Sequence, residues 1–230
     1  MASNIVTSYT AAESGEVSDI PTRTSSVGHE TGNDDNDGFT VVQSRRNYNR
    51  NLVIFETFLY SGLHIENPRT IVDVYAIAQV KERGTASKLF TAKNSQDQHA
   101  EIKLMAQLRS YLQSPPNNSV DVKCWINFSP CAHCSSQLKT FYLERNAYMT
   151  LKIVFPSLYK TWDQENVNGL RKLKDVGVLL TTFDNSDWKG FANVLQIKPS
   201  IEDNIDSARK QQDKSNAEIF LKLIRSLARH

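Results

Sequence analysis

The chain has 230 residues, of which 40% are apolar and 23% charged, with a formal net charge of +2. That length and apolar share support one substantial domain with a real core, and no run approaches the roughly 18 apolar residues of a membrane span. The first twenty residues lack the basic start and apolar block of a secretory signal, and three cysteines are too few for a disulfide scaffold. The sequence therefore predicts a soluble protein, cytoplasmic and/or nuclear and not secreted, with no membrane partner.

The charge is unevenly placed. Residues 1–44 hold seven acidic side chains against Arg23 alone, a balance of −6 that leaves 26 basic and 18 acidic residues, or +8, on the remainder. A basic domain of that kind suits phosphate-bearing partners. Residues 1–38 are rich in Ser, Thr, Gly, Asn and Asp and show no apolar period, which predicts a disordered tail; with the linker Phe39–Gln43 it gives a boundary at 44, and a domain over 45–230. Arg45, Arg46 and Arg50 follow as a nuclear address, a phosphate contact or a solvated helix start.

Leu52, Phe55, Phe58 and Leu59 recur at helical spacing and Gly62 closes that helix. The runs 71–80 and 88–92 read as strands of a hairpin turning through Gly84. Ile102, Met105, Leu108 and Leu112 form the stripe of a second helix, ended by Pro115-Pro116. A strand over 120–128 places Val120, Val122, Cys124, Ile126 and Phe128 on one face, and a third helix runs through Leu138, Phe141 and Tyr142. The alternation continues with a strand over 151–155, a helix over 167–174, a strand over 176–183 and two more helices, the last over 217–228. Such alternation predicts an α/β sandwich, a sheet between helical layers.

The chemistry is carried by His99-Ala100-Glu101 and Pro130-Cys131-Ala132-His133-Cys134, an H-x-E and P-C-x-x-C pair with the form of a zinc nucleobase deaminase signature. Ser129 is expected to cap the third helix and Pro130 to occupy its first position, so that Cys131 and Cys134 lie one turn apart where the helix end favours thiolates. His99 opens the preceding helix, so three ligands from two helix starts can hold one Zn2+ and leave a fourth position for water. Glu101 is not a ligand in this reading; it moves the protons. His133, about 100° around the helix from Cys134, should point away, and Cys124 reads as a core thiol. A lone C-x-x-C also occurs in redox pairs and structural zinc sites, but the chain has no second pair. Sequons at Asn117 and Asn127 are read as chance, since the second runs into the cysteine motif.

The continuation, with Leu151-Lys-Ile-Val-Phe155, Leu158-Tyr159, Gly169-Leu-Arg-Lys-Leu173, Gly177-Val-Leu-Leu-Thr-Thr-Phe183 and Asp187-Trp188-x-x-Phe191, resembles the AID/APOBEC family over about residues 50–195, as a divergent, invertebrate-type member. The resemblance implies the cytidine deaminase fold: a five-stranded mixed β-sheet flanked by about six helices, its last two strands parallel. It implies Zn2+ as cofactor, conversion of cytosine to uracil in single-stranded DNA or RNA, with DNA ranked ahead, and a link with innate defence. It places Asn94, Thr70, Ala100, Phe128, Ser129 and Tyr159 around the target base, and Lys160 and Trp162 in the loop beside the preceding base. Phe128 stands where the family usually has Trp, and Lys160-Thr161-Trp162-Asp163 departs from the usual acidic or aromatic loop. His64, Arg69, Lys93 and Lys160 are the candidate phosphate contacts. Two other readings stay open: a free cytidine or nucleotide deaminase, and a non-catalytic nucleic-acid-binding protein that keeps the fold.

Overall fold

The computed structural model describes residues 37–63, 73–113, 119–197, 205 and 207–225, with side chains from residue 47 onward. In chain order the elements are α1 (Asp37–Tyr60), β1 (Tyr75–Glu82), β2 (Lys88–Lys93), α2 (Ala100–Tyr111), β3 (Val120–Ile126), α3 (Ala132–Leu143), β4 (Met149–Phe155), α4 (Gln164–Asp175), β5 (Leu179–Thr182), α5 (Asn185–Val194) and α6 (Ser207–Arg225). The expected acidic tail lies almost wholly outside the described residues. Residues 39–43, expected as a linker, lie within α1.

The five strands form one sheet in the order β2-β1-β3-β4-β5. β1 runs antiparallel to β2 and to β3, while β3, β4 and β5 are parallel. The mixture follows from the connections: Gly84, at φ +83°, turns the tight hairpin, whereas α3 and α4 each carry the chain back to begin a parallel neighbour.

Side-chain alternation divides the interior in two. Ala76, Ala78 and Val80 of β1, Val120, Val122, Cys124 and Ile126 of β3, and Leu151, Ile153 and Phe155 of β4 point to the face that buries Leu104, Met105 and Leu108 of α2 and Leu138 and Phe141 of α3. Tyr75, Ile77, Trp125 and Val154 point to the other face, where Phe55 and Phe58 of α1 meet Trp188 and Phe191 of α5. The strand face expected at 120–126 is thus observed, but β3 ends at Ile126 and Phe128 lies half-buried in the bend beyond it. No helix among the described residues is long and apolar enough to cross a membrane.

A buried polar cluster fixes the last helix. Arg209, 0% exposed, pairs with Asp213 and donates to the carbonyls of Ser61 at 2.7 Å and Pro156 at 2.8 Å. Asp213 also accepts from Trp188 Nε1 at 2.8 Å, and Asn216 Nδ2 donates to the same Pro156 carbonyl at 2.7 Å. Both lone pairs of that oxygen are therefore taken by α6. Its position matters because Ser157, the next residue, accepts the Ser129 N–H at 2.8 Å and so supports the turn that carries the cysteines.

Candidate metal centre and active site

His99 and Cys131 occupy equivalent places. Each is the extended residue immediately before a helix, His99 before α2 and Cys131 before α3, and each offers its carbonyl to the first intrahelical bond. Two positive helix ends therefore converge where anionic ligands are wanted. The expected cap differs in one respect. The Ser135 N–H bonds to the Cys131 carbonyl at 2.8 Å, which makes Cys131 the capping residue and puts Pro130 just outside the helix. The Ser129 hydroxyl is used elsewhere, on the Tyr159 N–H at 2.8 Å.

His99 Nδ1 lies 3.2 Å from Cys134 Sγ and 3.6 Å from Cys131 Sγ, and the three ligand atoms all fall within 4.8 Å of one another. At a tetrahedral zinc, with bonds of about 2.3 Å to sulfur and about 2.0 Å to nitrogen, adjacent N and S donors stand roughly 3.5 Å apart. The donor set therefore fits a zinc ion, with a fourth position left for a non-protein ligand. It is the one such group of three or more His, Cys, Asp or Glu among the described residues.

The electrostatics agree. The Cys131 thiol is pulled down to about 5, chiefly by the bond it receives from the Cys134 thiol, with the Cys134 N–H and His99 assisting. The Cys134 thiol is pushed up by the same bond and by burial. Glu101, in the first turn of α2 and 5% exposed, faces this group. Burial pushes its carboxyl above the ordinary range, opposed by its own backbone N–H, and the Cys131 sulfur adds to the rise. A carboxyl raised by burial beside a metal position is suited to take and return protons. His133 is exposed and outside the donor set, and Cys124 is buried in β3 with its thiol pushed up to about 12 by desolvation, as their positions predicted.

The remaining expected site residues are distributed more widely. Ala100 is wholly buried in the core. Asn94 Oδ1 accepts the Val74 N–H at 2.8 Å while its own N–H bonds back to the Val74 carbonyl, a clamp at the entrance of β1. Tyr159 is half-buried, with Lys160 Nζ 5.2 Å from its ring centroid. Trp162 is 82% exposed, so it does not cover the following helix. Lys93 pairs with Asp73 at 2.7 Å, which engages one of the candidate phosphate contacts. Thr70, His64 and Arg69 lie outside the described residues.

The sequence reading passed over Asn166. This buried side chain of α4 accepts the Ala132 N–H at 2.8 Å, the first amide of α3. No local motif marks it, because its partners are 34 and 6 residues away.

A mixed five-stranded sheet with a His and two Cys at converging helix starts, and a buried Glu beside them, defines the cytidine deaminase class of fold. The profile of the invertebrate AID/APOBEC deaminase family matches residues 54–226, and the chain belongs to that family. Among individual proteins, it is 30% identical to the mouse C→U-editing enzyme APOBEC-1 over 107 residues, 45% of this chain and 46% of the relative. It is 30% identical to the human C→U-editing enzyme APOBEC-1 over 99 residues, covering 41% and 42%, and 25% identical to the cat DNA dC→dU-editing enzyme APOBEC-3H over 124 residues, covering 52% and 63%. The chain thus spans about half the length of the curated relatives it matches.

Proposed function

We propose that the protein hydrolyses cytosine to uracil in single-stranded nucleic acid, releasing ammonia, with one zinc held by His99, Cys131 and Cys134. The observation that carries this reading is Glu101, a buried carboxyl set beside the three donors His99, Cys131 and Cys134. Zinc in that set would act as a Lewis acid, lowering the pKa of water from about 16 toward about 7 and making hydroxide available for attack on C4. Glu101 would take the water's proton, hand it to the ring nitrogen and later assist the departing amine. The neighbouring residues bind and orient: Tyr159 and Phe128 offer aromatic faces, and Lys160 and the exposed Trp162 extend the surface toward an adjacent nucleotide.

A single strand is the substrate of choice because C4 inside a duplex is out of reach. The relatives' names, C→U-editing and DNA dC→dU-editing, support a polynucleotide rather than a free nucleoside. DNA is the first substrate to test. Three free cysteines, two of them in the donor set, support a reducing compartment, the cytoplasm or nucleus. The test is deamination of DNA and RNA oligonucleotides beside free cytidine, with Glu101→Gln as control. Product from cytidine alone would move the assignment to nucleoside metabolism, and binding without product would leave a non-catalytic nucleic-acid-binding protein.

A further inference from the structure

We propose that Asn166 is a positioning residue whose single carboxamide bridges the metal-bearing turn of α3 to the loop 160–163 and holds the two in one register. Its Oδ1 accepts the Ala132 N–H at 2.8 Å, and its Nδ2 donates to the Lys160 carbonyl at 3.4 Å. One end of the bridge is thus the amide adjoining Cys131, and the other is the first residue of a loop that ends at Asp163. The side chain is only 5% exposed.

Two independent features show that this place is built tightly. Gly169, one turn further along α4, lets that helix rest on α3: a Cβ there would stand 2.9 Å from Ser135 Cβ and 3.2 Å from Ala132 Cα. Lys160 holds a left-handed backbone at φ +41°, which a non-glycine residue keeps only when its surroundings fix it. Its carbonyl is gripped by the Asp163 N–H at 3.0 Å as well as by Asn166. The exposed Trp162 sits inside the arc so formed, and its aim depends on that grip.

The bridge has two ends that can be cut separately. Asn166→Asp keeps an oxygen for the Ala132 amide but has no hydrogen for the Lys160 carbonyl. Asn166→Ala loses both. The experiment measures, for the zinc-loaded protein and both variants, zinc loss to a chelator, backbone amide exchange across 132–134 and 160–163, and the neighbouring-base preference of deamination. Asn166→Ala is expected to hold zinc about tenfold less tightly against the chelator, the low end of what supporting contacts contribute to metal affinity, and to exchange faster in both segments. Asn166→Asp is expected to retain zinc like the unaltered protein, to exchange faster in 160–163 alone, and to show a relaxed base preference.

Unchanged zinc loss and exchange in Asn166→Ala overturns the proposal, as does identical behaviour of the two variants. Should Asn166→Ala fail to fold, Asn166→Asp decides, since unchanged exchange in 160–163 rejects the bridge. The base-preference arm rests on the deaminase reading given above; absence of deamination by the unaltered protein would reject that reading, while zinc retention and exchange would still judge Asn166.

Discussion

The hydroxyl of Ser129 accepts the backbone N–H of Tyr159 at 2.8 Å across a sequence separation of 30 residues, joining the turn before the cysteines to the segment that carries the candidate base-stacking ring. Ser129 is buried, so removing that oxygen strands an amide that water reaches poorly. Ser129→Ala should cost about 1–3 kcal/mol of stability, read from urea unfolding midpoints. A cost near zero would mean that the Tyr159 amide finds another partner.

Metal removal gives the second prediction. The purified protein should carry one zinc per chain, and replacing both Cys131 and Cys134 should abolish it. With zinc bound, few thiols should react with a thiol reagent near neutral pH. After chelation Cys131, whose thiol is pulled down to about 5, should react first, while Cys124, pushed up to about 12 and buried, should stay silent until the chain unfolds. The apoprotein should also melt at lower temperature, because forming the site is part of folding. Metal analysis, thiol titration and a thermal scan of one sample cover all three outcomes.

Glu101→Gln should keep zinc and fold yet lower turnover by at least roughly 10²–10⁴-fold, the worth of a general acid-base group. The amide preserves shape but can neither take up nor give back a proton near neutral pH. Turnover within a few-fold of the unaltered protein would place proton transfer elsewhere.

For the loop, replacing Lys160 to Asp163 with another sequence of equal length should alter the preferred neighbouring base while activity persists. A single lost aromatic stack, about 1–3 kcal/mol, is enough for a tenfold shift. Trp162 is free to make such a stack, since it lies almost wholly in solvent. Sequencing products from a randomised oligonucleotide pool reads the outcome, and an unchanged preference would move base reading to the segment 64–70.

Arg209→Met should be among the most costly single changes outside the metal centre. It leaves the Asp213 carboxylate buried without its cation, a loss of about 3–5 kcal/mol by urea unfolding. Replacing Asp213 as well, by an apolar residue, should recover part of that loss, since the uncompensated charge goes with it.

These predictions draw on residues that the sequence displays unequally. Val120, Val122, Cys124 and Ile126 announce their strand and its buried face because alternation is a local property of the backbone. His99, Glu101, Cys131 and Cys134 are legible because their chemistry requires short, fixed spacings on two helix starts. Ser129 was misplaced as a helix cap for the opposite reason: its true partner, Tyr159, is remote, and local capping preference carries no information about it. Asn166 and Arg209 are invisible on the same ground, since the amide and carbonyls that they bind come from other elements, although Arg209 also pairs with Asp213 one turn along α6. α1 begins at Asp37, ahead of Leu52, Phe55 and Phe58, whose spacing marks only its C-terminal half in the sequence.

The Pro156 carbonyl, filled by Arg209 and Asn216, gives the far end of the chain a hold on the rim of the candidate site. Proteins open in cooperative units, and elements that share a buried polar junction tend to open together. Loosening α6, by a fused partner, a bound ligand or a truncation, would release the strand end on which Ser157 and the Ser129 turn depend. The consequence is that α6, which supplies no donor to the candidate metal centre, nevertheless closes the backbone junction next to the segment that supports the cysteine turn.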